Sequence, residues 1–346
     1  PVLSLAWGPS SSTGSLELST GQGRTTRIQH GPGPGNLVVP LVFFPAGSGR
    51  IELKSPSELR VLRCAVTMLP LAEAESLDLG VILFLPPDKT QADFEVYRWD
   101  LRPEVLVLYF ADYAAQDRAL KRLAFFVEKL GFKGRLAPDA EIASLHGWNA
   151  HDYRAADLAR FFEKARKTSF QLGEPEVRLG KLLLDRGLIR KENGSIVAGR
   201  GALISISRES PAWLRTTFAT HESSHALYFT DPDFADFVRR TWSSVGREER
   251  WFWKLYFGWM NYDTSNDDLM ANEFMAYLFQ QPVSKVEEYF TKTLSARVLE
   301  NHKELVPRME AWISTWGGSF TQHATAIEQW LKEHYGMVAG RSYFVY

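Results

Sequence analysis

The sequence predicts an α+β protein in which a β-rich N-terminal module precedes a mostly α-helical domain with a small sheet. Residues 1–100 are rich in Gly, Ser and Pro and contain short runs of alternating apolar residues, which is typical of strands joined by turns. From residue 101 onward, apolar residues mostly recur at spacings of three and four, which is the period of a helix. We therefore divide the chain into residues 1–100 and 101–346.

The N-terminal module has the pattern of a small β-sandwich or barrel-like unit. Its apolar runs lie at residues 15–18, 37–44, 50–53 and 61–68. Turn-forming clusters such as the Gly-Pro segment at 31–35 separate them. Cys64 is the only cysteine, which excludes an intrachain disulfide, and its alternating neighbours predict a buried thiol in a strand.

The second domain opens with a buried strand predicted at 104–110. Helical patterns follow at 117–130, 152–167 and 283–335. A break at Gly317-Gly318 interrupts the last of these patterns. The sequence therefore predicts C-terminal helices over 283–346.

A histidine pair lies near the start of the second of these helices. His146 and His151 do not have the spacing of a helical ligand pair, and Asp152 is well suited to cap the helix that follows. We therefore interpret all three residues as structural.

Residues 221–225 read His-Glu-Ser-Ser-His and form the most informative motif. Apolar residues recur at helical spacing around the motif, so His221 and His225 lie one turn apart on the same face of a predicted helix. Two histidines so placed can bind one metal ion, and Glu222 beside them can accept a proton from a metal-bound water. The alternative is a pair of histidines in the core.

Catalytic zinc usually takes three protein ligands, and two downstream residues are candidates for the third. Asp231 lies ten residues after His221, but to reach the metal it needs a sharp turn at Tyr228, and a bulky residue is disfavoured at positive φ. Glu273 lies in a second helix predicted from about residue 266 to 280. It needs only that the two helices face each other, so we expect Glu273 to be the ligand.

Together the two motifs resemble those of the gluzincins, the thermolysin-like zinc metallopeptidases, over about residues 200–280. The matching residues are His221, Glu222, His225, Asn272, Glu273 and Ala276. The resemblance implies a zincin-like catalytic domain that binds Zn²⁺ through His221, His225 and Glu273, with Glu222 as general base. The chain departs from thermolysin at Tyr277, where an acidic residue would orient a zinc-bound histidine.

Two neighbouring segments bear on substrate binding. Residues 201–207 are predicted to form a strand, which is either the edge strand that pairs with substrate in gluzincins or a plain core strand. Seven of the twelve residues at 251–262 are aromatic, and they either anchor this insertion to the core or form a wall of the cleft. Tyr256 and Tyr262 are candidates for stabilising the oxyanion of the tetrahedral intermediate, with Tyr228 as a third.

Composition limits the classes of partner. The net charge of −1 gives no overall field that favours nucleic acid, and no apolar run reaches the length of a membrane span. We therefore expect a peptide or protein substrate, no nucleic-acid partner and no membrane span. The chain starts at Pro1, and we expect a secreted or periplasmic protein, since an unrestrained peptidase is hazardous inside a cell.

The sequence thus predicts a zinc-dependent peptidase. Two other functions fit the same motif. One is a zinc amidase acting on cell-wall or glycoconjugate substrates, because the motif does not define the acyl group that is attacked. The other is a non-catalytic binding protein with a degenerate peptidase fold, although an intact Glu222 argues against it.

Overall fold

The computed structural model describes residues 2–12, 14–20, 25–30, 33–41, 51–55, 59–67, 76–85 and 93–345. Within these residues the strands form four sheets, and helices dominate the C-terminal half of the chain. The predicted α+β class is confirmed.

The described strands are β1 (Val2–Trp7), β2 (Gly14–Thr20), β3 (Thr25–His30), β4 (Gly35–Pro40), β5 (Ile51–Lys54), β6 (Val61–Thr67), β7 (Ser76–Leu77), β8 (Phe94–Trp99), β9 (Val105–Phe110), β10 (Ala150–Arg154), β11 (Ile189–Glu192), β12 (Ser195–Ala198) and β13 (Ala202–Ser207). The described α-helices are α1 (Leu79–Phe84), α2 (Tyr113–Val127), α3 (Asp139–Ile142), α4 (Ala155–Thr168), α5 (Glu174–Asp185), α6 (Ala212–Thr230), α7 (Pro232–Ser244), α8 (Arg250–Trp259), α9 (Asp267–Phe279), α10 (Val283–Glu288), α11 (Ser295–Asn301), α12 (Val306–Trp316) and α13 (Ser319–Tyr335).

The first six strands form two antiparallel sheets, ordered β4-β1-β6 and β3-β2-β5. Cys64 lies in β6, but the prediction of a buried thiol is wrong, because the Cys64 side chain is exposed. Within the described residues β6 pairs only with β1, and Leu62 and Val66 beside Cys64 are also exposed. Alternation of residue types therefore predicted the strand correctly and its burial incorrectly.

A five-stranded mixed sheet, ordered β10-β13-β9-β8-β7, carries the rest of the structure. It takes strands from both sides of residue 100. The central strand β9 is completely buried, as predicted for 104–110. Its alternate side chains serve two cores: Val105, Val107 and Tyr109 belong to the larger one, and Leu106 and Leu108 pack with α2, α4 and α5.

The strand predicted at 201–207 is present as β13, but it is not an edge strand. It pairs with β9 on one side and with β10 on the other, and all six of its residues are buried. The core-strand alternative is therefore correct, and the edge strand at this end of the sheet is β10.

The prediction that a helix starts at Asp152 is wrong, since Asp152 belongs to β10 and α4 starts at Ala155. His151 and Tyr153 are buried on the inner side of β10, where the rings pack near each other. The alternation of this segment is that of a strand. The C-terminal stretch from 283 onward is helical as predicted, through α10 to α13.

Helix α6 lies against β13 and β10 of the mixed sheet, and α9 packs against α6. Helix α13 covers α9 and α10. The chain then returns to the N-terminal half, where Val345 forms an antiparallel bridge with Ile28 of β3. The buried Asp78 carboxylate, which caps α1, accepts hydrogen bonds from the backbone N–H groups of Phe344 and Val345. No helix in the described ranges is long and apolar enough to cross a membrane.

Candidate metal centre

The His-Glu-Ser-Ser-His motif lies in the second half of α6, where the helix is buried on nearly all sides from Ala219 to Tyr228. The polar side chains of such a helix must find hydrogen-bond partners within the protein. Ser223 and Ser224 do so by donating to the backbone carbonyls of Thr220 and His221. The histidine and glutamate side chains of the motif are left to face the space between α6, α9 and β10.

Three donor atoms converge there. The Nε2 atoms of His221 and His225 lie 3.1 Å apart, and Oε2 of Glu273 lies 3.8 Å from each of them. A four-coordinate zinc ion with bonds of about 2.0–2.1 Å places its ligand atoms about 3.3 Å apart. Oε2 of Glu273 is also buried without a hydrogen-bond partner among the described residues. The three side chains therefore fit a single bound cation.

Glu273 reaches this point because α9 faces α6. The side chain of Asn266 caps α9 by accepting a hydrogen bond from the backbone N–H of Leu269. Burial raises the pKa of the Glu273 carboxyl well above its usual range, the charge of Asp152 raises it further, and a hydrogen bond from the Tyr262 hydroxyl opposes the rise. A bound cation would favour the carboxylate in the same place.

His221 is oriented by a residue that sequence reasoning did not identify. Its Nδ1 atom lies 3.0 Å from Oε1 of Gln280, the residue that follows α9. Tyr277 packs its ring edge-on against the imidazole, with 4.8 Å between ring centroids. Burial lowers the pKa of His221, and the proximity of His225 lowers it further, so the imidazole is neutral and able to bind a metal.

A second set of possible ligands overlaps the first and includes Asp152, Glu222 and His225. Oδ1 of Asp152 lies 4.0 Å from Nε2 of His225. Burial raises the pKa of Glu222 strongly, and the charge of Asp152 and a hydrogen bond with it raise the pKa further. The interpretation of Asp152 as a helix cap is therefore wrong, because β10 directs it into the centre.

The strand pattern could have revealed this. The side chains of His151 and Tyr153 are buried on one face of the sheet. Nδ1 of His151 lies 2.9 Å from the Ser205 hydroxyl on the same face. A residue between two inward-facing residues of a strand faces the opposite way. Asp152 is that residue. The His151 side chain is buried against Ser205, whereas His146, which the sequence also led us to interpret as structural, lines the cleft described next.

Two of the three donors, His221 and Glu273, line a cleft of about 290 Å³ together with Glu222, and His225 lies buried beside them. One side of the cleft is formed by residues 148–152, the other by the motif face of α6 and by Met260 and Tyr262. A second cavity of about 390 Å³ opens beyond it and shares Glu128, Asp152 and Glu273 with the first. Glu273 thus borders both cavities.

No family model, no curated protein and no solved structure matches this chain. The resemblance to gluzincins therefore rests on the motif residues of the sequence alone.

The three tyrosines considered for the oxyanion lie in different places. Tyr262 lines the cleft and stacks on Trp148, with 6.2 Å between ring centroids. Tyr256 is only 4% exposed, packs edge-on against Tyr277 and does not line the cleft. Tyr228 donates its hydroxyl proton to Asp268, 2.5 Å away. Of the three, the structure brings Tyr262 to the centre and leaves the other two in the surrounding packing.

The aromatic segment itself is mainly structural. Phe252, Trp253, Tyr256 and Phe257 are buried within α8, where they pack among the helices of the larger core. Tyr262 follows α8. Its hydroxyl opposes the rise in the pKa of the Glu273 carboxyl.

Asp231 lies outside the centre. Helix α6 continues through Tyr228 to Thr230, so the chain makes no sharp turn back to the histidines. The Asp231 carboxylate caps α7 by accepting from the backbone N–H groups of Asp233 and Phe234, and it also accepts from the Tyr335 hydroxyl.

Proposed function

We propose that this protein is a zinc-dependent peptidase. The observation that carries the proposal is the convergence of Nε2 of His221, Nε2 of His225 and Oε2 of Glu273, within 3.8 Å of one another. His221 and Glu273 also line a cleft. Two imidazoles and one carboxylate are a donor set that suits catalytic zinc and leaves a fourth position for water. The Glu222 carboxylate next to this set completes the arrangement.

Each residue has a chemical role in this proposal. His221, His225 and Glu273 would hold the metal, which when bound would supply an acidified water and polarise the scissile carbonyl. Glu222 takes the proton from the water and delivers it to the leaving amine. Gln280 keeps the His221 proton on Nδ1, so that the Nε2 lone pair points to the metal.

Peptide is the substrate class that the surroundings favour. Strand β10 is an edge strand that pairs only with β13 within the described residues, and its residues Ala150 to Asp152 line the cleft. An extended peptide can add to such an edge through backbone hydrogen bonds. The two cavities that Glu273 borders leave room for substrate residues on either side of the scissile bond.

The test combines metal analysis with peptide cleavage. We expect about one zinc per chain in the purified protein, and loss of zinc in His225→Ala. A library of unrelated peptides should be cleaved by the wild type and left intact by Glu222→Gln, which has nearly the same shape but cannot accept the proton. Zinc without peptide cleavage would indicate another zinc hydrolase, such as an amidase, and absence of both would indicate a binding protein.

A further inference from the structure

A larger cavity, of about 640 Å³, shares no lining residue with the metal centre. It is formed by the loop between α7 and α8, the first turns of α8 and the start of α12. Four of its lining residues are cations and one is an acid; these are Arg247, Arg250, Lys254, Arg308 and Glu248. The whole chain has a net charge of −1, so this concentration of positive charge is local.

Only one of the four cations lies near a carboxylate of the described residues. Arg250 donates to the backbone carbonyls of Val245 and Trp242 and lies 3.9 Å from Asp267. Arg247, Lys254 and Arg308 form no ion pair with any residue that the structure describes. Like charges that share a cavity repel one another unless an anion is present. The cavity therefore favours a ligand with more than one negative charge.

The walls of the cavity are held in place by contacts that do not involve a ligand. The indole N–H of Trp312 donates to the backbone carbonyl of Glu248, 2.9 Å away. The guanidinium of Arg308 lies over the Trp251 ring, 4.4 Å from its centroid, and the Trp251 ring packs near Trp312. A binding site that is already ordered loses less entropy when its ligand binds.

The side chains that line the cavity limit the class of ligand that it can bind. Guanidinium groups donate two parallel hydrogen bonds to the oxygens of phosphate-type anions, and lysine adds a compact point charge. The volume lies in the range of small-molecule sites. We propose that this cavity binds a phosphate-type anion with at least two negative charges, either free in solution or as the headgroup of an anionic lipid.

The first experiment measures binding of inorganic pyrophosphate by calorimetry. The cavity variant carries Arg247→Gln, Lys254→Gln and Arg308→Gln. The control variant loses the same charge at three exposed lysines outside the cavity, through Lys181→Gln, Lys191→Gln and Lys332→Gln. We expect the cavity variant to bind at least about tenfold more weakly than the wild type, as for the loss of one or more charge-assisted contacts. The control variant should bind like the wild type.

The second experiment distinguishes the two sources of the anion. Sedimentation with vesicles of phosphatidylcholine, with and without phosphatidic acid, is measured for the same three proteins. Pyrophosphate binding that depends on the cavity supports a free anion, and vesicle binding with the same dependence supports a lipid headgroup. Absence of both, or equal binding by the cavity and control variants, would overturn the proposal. Circular dichroism shows whether each variant is folded.

Discussion

The Nδ1 atom of His221 lies 3.0 Å from Oε1 of Gln280. An amide oxygen can only accept, so Nδ1 carries the proton and the lone pair of Nε2 faces His225. A neutral amide thus orients the imidazole, a role that the resemblance to gluzincins would give to an acidic residue at the position of Tyr277. The ring of Tyr277 limits the movement of the same imidazole by packing against it.

Substitution of Gln280 should therefore weaken metal binding without removing a ligand. We expect Gln280→Leu to reduce zinc affinity by about 10- to 100-fold, the usual effect of losing the partner that orients a metal-bound histidine. Competition with a chromogenic chelator measures this affinity. Gln280→Glu, which keeps an acceptor at the same place, is the matched control and should retain zinc. Equal zinc affinity in Gln280→Leu and the wild type would contradict the orienting role.

Glu222→Gln should separate metal binding from hydrolysis. The variant keeps His221, His225 and Glu273, so we expect it to bind zinc like the wild type. Loss of the proton acceptor should lower turnover by about 100- to 10,000-fold. The measurement is kcat on a peptide that the wild type cleaves, together with elemental analysis of both proteins. Comparable turnover in the two would show that Glu222 is not the base.

Three carboxylates can be ranked by how much their substitution should lower the affinity for zinc. Glu273 lies 3.8 Å from both imidazole nitrogens, Asp152 lies 4.0 Å from one of them, and Asp231 caps α7. We expect Glu273→Gln to lower zinc affinity strongly, because two ligands rarely hold zinc. Asp152→Asn should retain most of the affinity, and Asp231→Ala should retain all of it.

The same chelator competition tests this ranking. If Asp152→Asn loses zinc and Glu273→Gln keeps it, the alternative set of Asp152, Glu222 and His225 holds the metal instead. Glu222 would then be a ligand and could not serve as the base, so this result would also change the proposed mechanism.

The features that the sequence predicted well are local. The positions of His221 and His225 follow from helical periodicity within one element, and α9 (Asp267–Phe279) matches the helix predicted from about residue 266 to 280. Glu273 was assigned because two helices needed only to face each other, and the structure places it next to the histidines. Asp231 was set aside on the conformation of Tyr228, and α6 does continue through that residue.

The features that the sequence missed depend on tertiary pairing. Strand order in a sheet is not written in any one segment, so the edge position of β10 and the interior position of β13 could not be read from residues 201–207. Asp152 is a different case, because the alternation of residues 150–154 is local and is that of a strand, although the sequence was interpreted there as the start of a helix. Gln280 contacts His221 across 59 positions in the chain, and nothing near Gln280 in the sequence indicates that contact.

Tyr262→Phe should change zinc binding more than Tyr256→Phe does. Tyr262 lines the same cleft as Glu273, and its hydroxyl opposes the rise in the pKa of the Glu273 carboxyl, whereas Tyr256 is buried and contacts Tyr277. Removal of a hydroxyl that stabilises a charged ligand costs about 1.5–3 kcal/mol, so we expect zinc affinity to fall by about 10-fold or more in Tyr262→Phe. A lower kcat with unchanged zinc affinity would instead support the oxyanion role. Tyr256→Phe should leave both quantities unchanged.

A buried pair of carboxyl groups should make the free energy of unfolding depend on pH. Burial raises the pKa of Asp100 to about 8, with a further contribution from the charge of Asp78. Burial likewise raises the pKa of Asp78 to about 6, although backbone N–H groups of Phe344 and Val345 oppose the rise. Both values lie above the value of 3.8 expected in the unfolded chain, so the folded state holds more protons between about pH 4 and 8.

Stability should consequently fall as the pH rises through this window, with a slope of at most about 1.4 kcal/mol per pH unit for each group. The Asn side chain in Asp100→Asn cannot ionise. The free energy of unfolding of this variant should therefore depend less on pH than that of the wild type between pH 6 and 9. Urea unfolding followed by circular dichroism at several pH values measures the difference. The exposed Asp185→Asn is the control and should follow the wild type. If the free energy of unfolding depends on pH in the same way for Asp100→Asn and the wild type, Asp100 is already ionised in the folded protein. A difference between the two profiles arises only if folded Asp100 holds a proton.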